Sequence, residues 1–410
     1  MSAAVSRRAL LRLLRGLRGG RLELVEGERG LGFGPRDSGL RARVEIRDPR
    51  AYAATLRGST GWGESYVDGH WETDDLVALT RIACRNLPSL DRWRRRVHPL
   101  VGRIQRAATL IPRNTRSGAR ANIAAHYDLG SELFESFLDR RRVYSCAYFP
   151  APGASLDDAQ LAKLERICAH LELGPDDHLL EIGTGWGALA IHAASEHGCR
   201  VTTTTISRQQ AAYARERVSE AGLADRVKVI ETDYRDLEGS YDKLASIEMI
   251  EAVGWQYFDA FFRACGSLLR PEGLMFLQAI VIDDRAYELE KASRSFANKH
   301  VFPGGCLPSE RLIVELTEKL TDMQPVRLEE ISDHYALTLR HWRDRFEDAW
   351  VTLRSRGYDE RFRRLWRFYL ATSEAGFRER RIRDLQLLLA KPGRKAAQAT
   401  SVAVRPAVLG

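Results

Sequence analysis

With 410 residues, 44% of them hydrophobic and 29% charged, the chain is long enough for two or three domains around a large core. Six scattered cysteines, with no C-x-x-C pair and no His/Cys ligand spacing, argue against a structural zinc or a disulfide framework and for a reducing cytoplasm. The net charge is +8, and no apolar run reaches about 18 residues, so no segment is expected to span a membrane.

Residues 1–22 hold six arginines and no acid. Leu10, Leu13, Leu14 and Leu17 share one helical face while Arg8, Arg12, Arg15 and Arg18 lie elsewhere. Such a helix either lies on anionic lipid or docks its leucines on its own domain; the docking reading is preferred. Ser6-Arg7-Arg8 resembles a twin-arginine export signal, but arginines interrupt the apolar stretch and no small-residue cleavage site follows, so export is rejected. Residues 1–90 read as a small mixed domain for presenting lipid or dimerising, with strands at Leu22–Leu24 and Ala42–Ile46 and a turn-rich aromatic stretch from Gly61 to Gly69. Residues 91–120 form a basic linker, with nine arginines and no acid over 92–120. No aromatic-interleaved or helix-turn-helix pattern accompanies the basic segments, which argues against nucleic acid.

From about 121 helix and strand alternate, and 121–390 is expected to form one α/β domain. Ser155 and Asp158 resemble a capping box opening a helix through Leu161, Leu164, Ile167 and Cys168. Strands follow at 178–182, 200–205, Val227–Ile230, Lys243–Ile247 and Leu274–Ile280, separated by helices, which implies a parallel sheet with ligands at the strand carboxyl ends. Phe258, Phe261, Phe262, Phe296 and Phe302 are assigned to the core, and 391–410 to a disordered tail.

The most informative stretch follows the first of these strands. Glu181, Ile182, Gly183, Thr184, Gly185, Trp186 and Gly187 spell E-x-G-x-G-x-G. Glycine lets the backbone turn and approach a ligand where a Cβ would clash, and the acid can accept from a ligand's ammonium or hydroxyl groups. The spacing differs from the G-x-G-x-x-G of dinucleotide folds and looks like the S-adenosylmethionine (SAM) loop of Rossmann-like methyltransferases.

Further segments resemble one family, the cyclopropane-fatty-acyl-phospholipid synthases with their mycolic-acid and plant relatives. They are His126–Gly130, Tyr144–Phe149, Thr205–Ser207 with Gln210, Asp233–Leu237, Glu248–Gly254, Phe302–Ser309 and Tyr335–Trp342, in the family's order over about 120–390. The resemblance implies a Rossmann-like methyltransferase domain with a mostly parallel seven-stranded sheet flanked by helices, and SAM-dependent transfer to the cis double bond of an unsaturated phospholipid acyl chain. It implies a carbocation deprotonated by bound bicarbonate, and a cyclopropane product. Carried over, the bicarbonate site is Cys146, Glu251, Gln278, the backbone of Ile280 and Tyr335. The SAM site is Tyr144, Ser145, the loop from Glu181 to Gly187, Thr205, Gln210, Asp233 and Tyr234, with Gln210 replacing a ribose-binding acid and Asp233 accepting from the adenine amino group.

Gln278 and Ala252 stand where histidines are common in bacterial members, and Ser373 where some relatives have a cysteine, so a titrating histidine and a nucleophilic cysteine are both lost. Each assignment has a plainer reading. Cys146 is a small buried hydrophobe, Glu251 a helix-start acid, Tyr335 packing, and His126 and Tyr127 a sheet-edge cover. The expected protein is a homodimer, cytoplasmic and peripheral on the inner membrane face, and it uses no metal. Rival functions are methylene- or methyl-branch formation, small-amine N-methylation, and SAM or lipid binding without catalysis.

Overall fold

The computed structural model describes residues 2–89, 91, 114–116, 118, 119, 122, 130–291 and 295–394. His126, Tyr127 and most of the basic linker lie outside the described residues.

Two sheets organise the chain. The smaller has four strands: β1 (Arg21–Glu26), β2 (Arg29–Phe33), β3 (Arg41–Ile46) and β4 (Trp71–Thr73), in the order β2-β1-β3-β4, with β1 and β3 parallel. The larger has seven: β5 (His178–Ile182), β6 (Arg200–Thr204), β7 (Val227–Ile230), β8 (Tyr241–Ile247), β9 (Leu269–Ile282), β10 (Gln324–Glu330) and β11 (Ile382–Ala390). Their order is β10-β11-β9-β8-β5-β6-β7, parallel from β9 to β7 and antiparallel at β11 and β10. The expected α/β class and mostly parallel seven-stranded sheet are therefore observed. The Ser155 hydroxyl caps the helix Leu156–Leu171 by accepting from Asp158 N at 3.1 Å, and Ser207 caps Arg208–Glu220 by accepting from Gln210 N at 3.3 Å.

The pleat of β9 and β11 explains where the site lies. Met275, Leu277, Ala279 and Val281 alternate onto one face and pack with Leu385, Leu387 and Leu389 in a buried cluster. On the other face Leu274, Phe276, Leu388 and Ala390 are apolar, but further toward the carboxyl end of β9 the residues become Gln278, paired with Gln386, and Ile280, paired with Asp384. Buried polar side chains thus replace hydrocarbon at the end of the sheet where ligands of such folds bind.

The N-terminal sheet shares a core with the C-terminal helices. Tyr66 and Trp71 pack with Phe368, and a Cβ on Gly63 would come within 2.3 Å of Phe296 and 2.6 Å of Phe368. The N-terminal segment docks only partly: Leu11 and Leu14 of the helix Ala3–Leu14, and Leu17 beyond it, touch this core while Leu13 stays 53% exposed. Two assignments need correction. Residues 391–394, given to the disordered tail, form a turn, with Lys391 N donating to Gly273 O at 3.0 Å and Gly393 N to Pro271 O at 2.9 Å. Phe258, Phe261, Phe262 and Phe296 are core, Phe296 also lining the main cavity, whereas Phe302 is 36% exposed and faces that cavity.

Candidate active site

The glycine loop turns as its composition requires. Gly183, Gly185 and Gly187 have φ of 108°, 51° and 86°, the left-handed region that side chains avoid. Gly183 N and Thr184 N both donate to Thr204 O, at 3.0 and 3.1 Å, tying the loop to β6. Gly187 caps the helix Ala188–His197 and lies against Ala214, whose Cβ is 3.1 Å from where a Gly187 Cβ would stand. At Gly185 an added Cβ would meet nothing in the protein, leaving that space for a ligand. Glu181 is buried at the end of β5, where Thr203 Oγ1 lies 2.6 Å from its Oε2 and 2.7 Å from Thr184 Oγ1. Burial pushes the Glu181 carboxyl up to about 8, against the opposing effects of the Thr203 hydrogen bond and the Lys163 charge.

The remaining residues assigned to SAM line the same cavity, apart from Gly187. Tyr144 and Tyr369 share a hydrogen bond between hydroxyls at 2.9 Å. The Thr205 hydroxyl donates to Gln210 Oε1 at 2.9 Å, which turns the amide nitrogen of Gln210 away from that bond and leaves it available to a ligand. Ser145 Oγ accepts from Lys163 Nζ at 2.7 Å. The Tyr234 ring stands edge-on to Phe261 at 5.7 Å. Asp233 lines the cavity with both carboxylate oxygens gripped by Arg235, at 2.7 and 2.6 Å, since the 3₁₀ turn Tyr234–Asp236 after β7 brings the guanidinium back onto the acid two residues earlier. The glycine cradle, the space at Gly185 and the Gln210 amide fit SAM.

The second group of residues converges on an acid that the sequence reading did not assign. β8 ends at Ile247, and Glu248 then takes φ of 49°, a conformation uncommon for a side chain larger than glycine. Its backbone is held by Glu248 N donating to Gln278 O at 2.8 Å. Its Oε1 accepts from Cys146 N at 2.8 Å and Gln278 Nε2 at 2.7 Å, and its Oε2 accepts from the Tyr335 hydroxyl at 2.6 Å. Glu251, on the short helix Ile250–Val253, accepts from Ile280 N through Oε1 at 2.5 Å, while its buried Oε2 has no partner. Burial, and then the neighbouring Glu248 charge, raise the Glu251 carboxyl to about 8.

All five residues assigned to the bicarbonate site are therefore neighbours, but in unequal positions. Glu251, Ile280 and Tyr335 line the cavity; Cys146 and Gln278 are fully buried behind it. Cys146 contributes its backbone N–H, and burial holds its thiol far above the ordinary range, so the thiol is no nucleophile. Gln278 Nε2, Ile280 N and the Tyr335 hydroxyl, the donors a bicarbonate would use, all serve protein carboxylates. The donors expected to hold bicarbonate are thus taken up by the protein's own carboxylates, an arrangement that does not fit the ion.

Three further residues were missed. Lys163 is 1% exposed on the inner face of the helix Leu156–Leu171. Its place beside Leu164 and Ile167 on an apolar stripe was a readable signal, because a lysine there must be paired. Asp384 accepts from Gln278 Nε2 at 3.0 Å, and Glu248 is the hub. Away from the cavity, Cys168, His192 and His197 bring their ligand atoms within 4.8 Å of one another, a cluster invisible to spacing because it joins two helices. Glu165 Oε2 already links the two imidazoles, at 3.1 and 3.2 Å.

The cavity has a volume of about 1980 Å³, above the roughly 300–1,000 Å³ of a pocket for one small ligand. It runs from the glycine loop and the acids, past Phe296 and Phe302, to Leu10, Leu13, Leu14 and Leu17 of the N-terminal segment.

Comparison with known proteins agrees with this geometry. The family model described as mycolic acid cyclopropane synthetase matches residues 114–387. Tuberculostearic acid methyltransferase UfaA1 of Mycobacterium tuberculosis is 37% identical over 361 residues, covering 85% of this chain and 83% of its own. The cyclopropane-fatty-acyl-phospholipid synthase of Escherichia coli is 34% identical over 354 residues, covering 85% of this chain and 88% of its own. Among solved structures, mycolic acid cyclopropane synthase CmaA1 complexed with SAH and CTAB superposes with a TM-score of 0.62 at 28% identity, over 66% of this chain and 98% of that one.

Proposed function

Since this chain belongs to the mycolic acid cyclopropane synthetase family and is a SAM-dependent methyltransferase, we propose that it acts on the cis double bond of an unsaturated phospholipid acyl chain and closes a cyclopropane ring. The observation that carries this reading is the single cavity with a polar, glycine-lined end and an apolar mouth. Bound SAM supplies an electrophilic methyl group. Gly183 to Trp186, Gln210 and Tyr234 hold and orient the cofactor. The apolar mouth admits the hydrocarbon and excludes water, while an ionised carboxylate at the polar end stabilises a cationic intermediate.

The N-terminal segment supports a lipid substrate. Leu10, Leu13, Leu14 and Leu17 edge the cavity, and the arginines of the same segment supply charge for an anionic membrane face. No helix among the described residues is long and apolar enough to cross a membrane, so lipid would enter the mouth from a surface.

The 37% identity with a tuberculostearic acid methyltransferase favours a second reading, in which the product is methyl- or methylene-branched. Mass spectrometry of lipids from cells expressing the protein separates the two. A gain of one CH₂ on unsaturated chains that resists hydrogenation means cyclopropane, and a gain whose product takes up hydrogen means methylene. Unaltered lipids would overturn both.

A further inference from the structure

The Glu248 carboxylate sits among the donors that the family resemblance gives to a bicarbonate ion. It accepts from Cys146 N, from Gln278 Nε2 and from the Tyr335 hydroxyl. The orientation of the Gln278 amide is fixed from behind: Arg166 Nε donates to Gln386 Oε1 at 2.8 Å, and Gln386 Nε2 donates to Gln278 Oε1 at 3.0 Å. Gln278 can therefore only donate toward Glu248 and Asp384. Three donors on one carboxyl, from a backbone N–H, an amide N–H and a phenol, favour its ionised form.

The surroundings support one anion, and only one. Glu251 and Asp384 are buried beside Glu248, and each has an oxygen without a partner, Oε2 and Oδ1. Burial raises all three carboxyls; the charge on Glu248 raises Glu251 and Asp384 further, whereas the Tyr335, Cys146 and Gln278 hydrogen bonds oppose the rise at Glu248, so the negative charge of the cluster falls on Glu248. Lys163 is the nearby buried cation. A bicarbonate would add a second negative charge where, among the described residues, Gln278 Nε2, Ile280 N and the Tyr335 hydroxyl already donate to protein carboxylates. The chain also tolerates left-handed backbone at Glu248, φ 49°, a conformation that glycine adopts without cost.

We propose that Glu248 is the catalytic base of this chain, a built-in carboxylate in the seat of bicarbonate, so that ring closure requires no bicarbonate. The inference rests on the acyl-chain reading above. The alkene π pair forms a bond to the methyl carbon as that carbon's bond to sulfur breaks, its pair staying on sulfur. The other alkene carbon is left cationic. A C–H bond of the new methyl group then breaks, its pair closes the third ring bond, and the proton passes to Glu248.

The test uses the full chain with S-adenosylhomocysteine, ¹³C-bicarbonate observed by NMR, and turnover on unsaturated phospholipid vesicles with and without bicarbonate. Wild type should show no saturable bicarbonate binding and the same rate in both buffers. Glu248→Gly suits the local backbone and should lose about 100-fold in rate, bind bicarbonate and regain rate when it is added. Glu248→Gln keeps the seat filled and should lose rate without rescue. Saturable bicarbonate binding to wild type overturns the inference, as does a wild-type rate that collapses without bicarbonate or a fully active Glu248→Gln. If wild type turns over no lipid, the acyl-chain reading falls and the bicarbonate titration alone decides the role of Glu248.

Discussion

Tyr335 donates its hydroxyl proton to Glu248 Oε2 across 2.6 Å, joining the helix Ser332–Asp348 to the turn that follows β8. Burial, followed by the Glu248 charge, keeps the phenol protonated far beyond its ordinary range, so it remains a donor at every working pH. The Tyr335 ring also stacks on Phe377 at 4.2 Å, which fixes its direction.

Tyr335→Phe keeps that stacking and removes one hydrogen bond to a buried charge, worth about 1.5–3 kcal/mol. We expect kcat to fall between roughly tenfold and 150-fold with SAM affinity unchanged. Steady-state kinetics with calorimetric SAM titration checks this, and an unaltered kcat would contradict it.

Two glycine substitutions should have different effects. Gly185→Ala places its methyl in the ligand space and should weaken SAM binding with a small loss of stability. Gly187→Ala forces a Cβ to 3.1 Å from the Ala214 Cβ and should lower the melting temperature more. Both adopt left-handed backbone at roughly 1–2 kcal/mol, so the difference between them reports the space each methyl meets. Equal losses of SAM affinity would refute the distinction.

Glu181 and Glu251 each titrate near 8 in the folded chain, against an ordinary 4.5. Between those values the folded protein binds more protons than the unfolded chain, so their contribution to stability falls as pH rises through that window and levels off above it. Urea midpoints measured from pH 5 to pH 8 should fall less in Glu251→Gln and Glu181→Gln than in wild type. A steeper fall in either variant would reverse the sign argued here.

Leu13 is exposed at the cavity mouth beside the N-terminal arginines. Binding to anionic vesicles should weaken at high ionic strength, and Leu13→Asp should weaken it further without altering SAM affinity. Co-sedimentation that is indifferent to salt would remove the membrane-surface role.

The fold and the cofactor end of the site were legible because their signals are local. Seven residues from Glu181 to Gly187 encode one turn, and their φ values follow from having no Cβ at alternate positions. The ordered motifs gave the family, and Ser155 and Ser207 gave two helix starts. The proton chemistry was not legible. Glu248, Gln278, Tyr335, Asp384 and Lys163 come from five elements, and nothing in their spacing shows that they meet. Sequence determined which acids, amides and phenol the chain possesses. Tertiary packing alone decided which acid is ionised, because a carboxyl's charge in the interior depends on the donors, the burial and the other carboxyls that folding brings within a few ångströms.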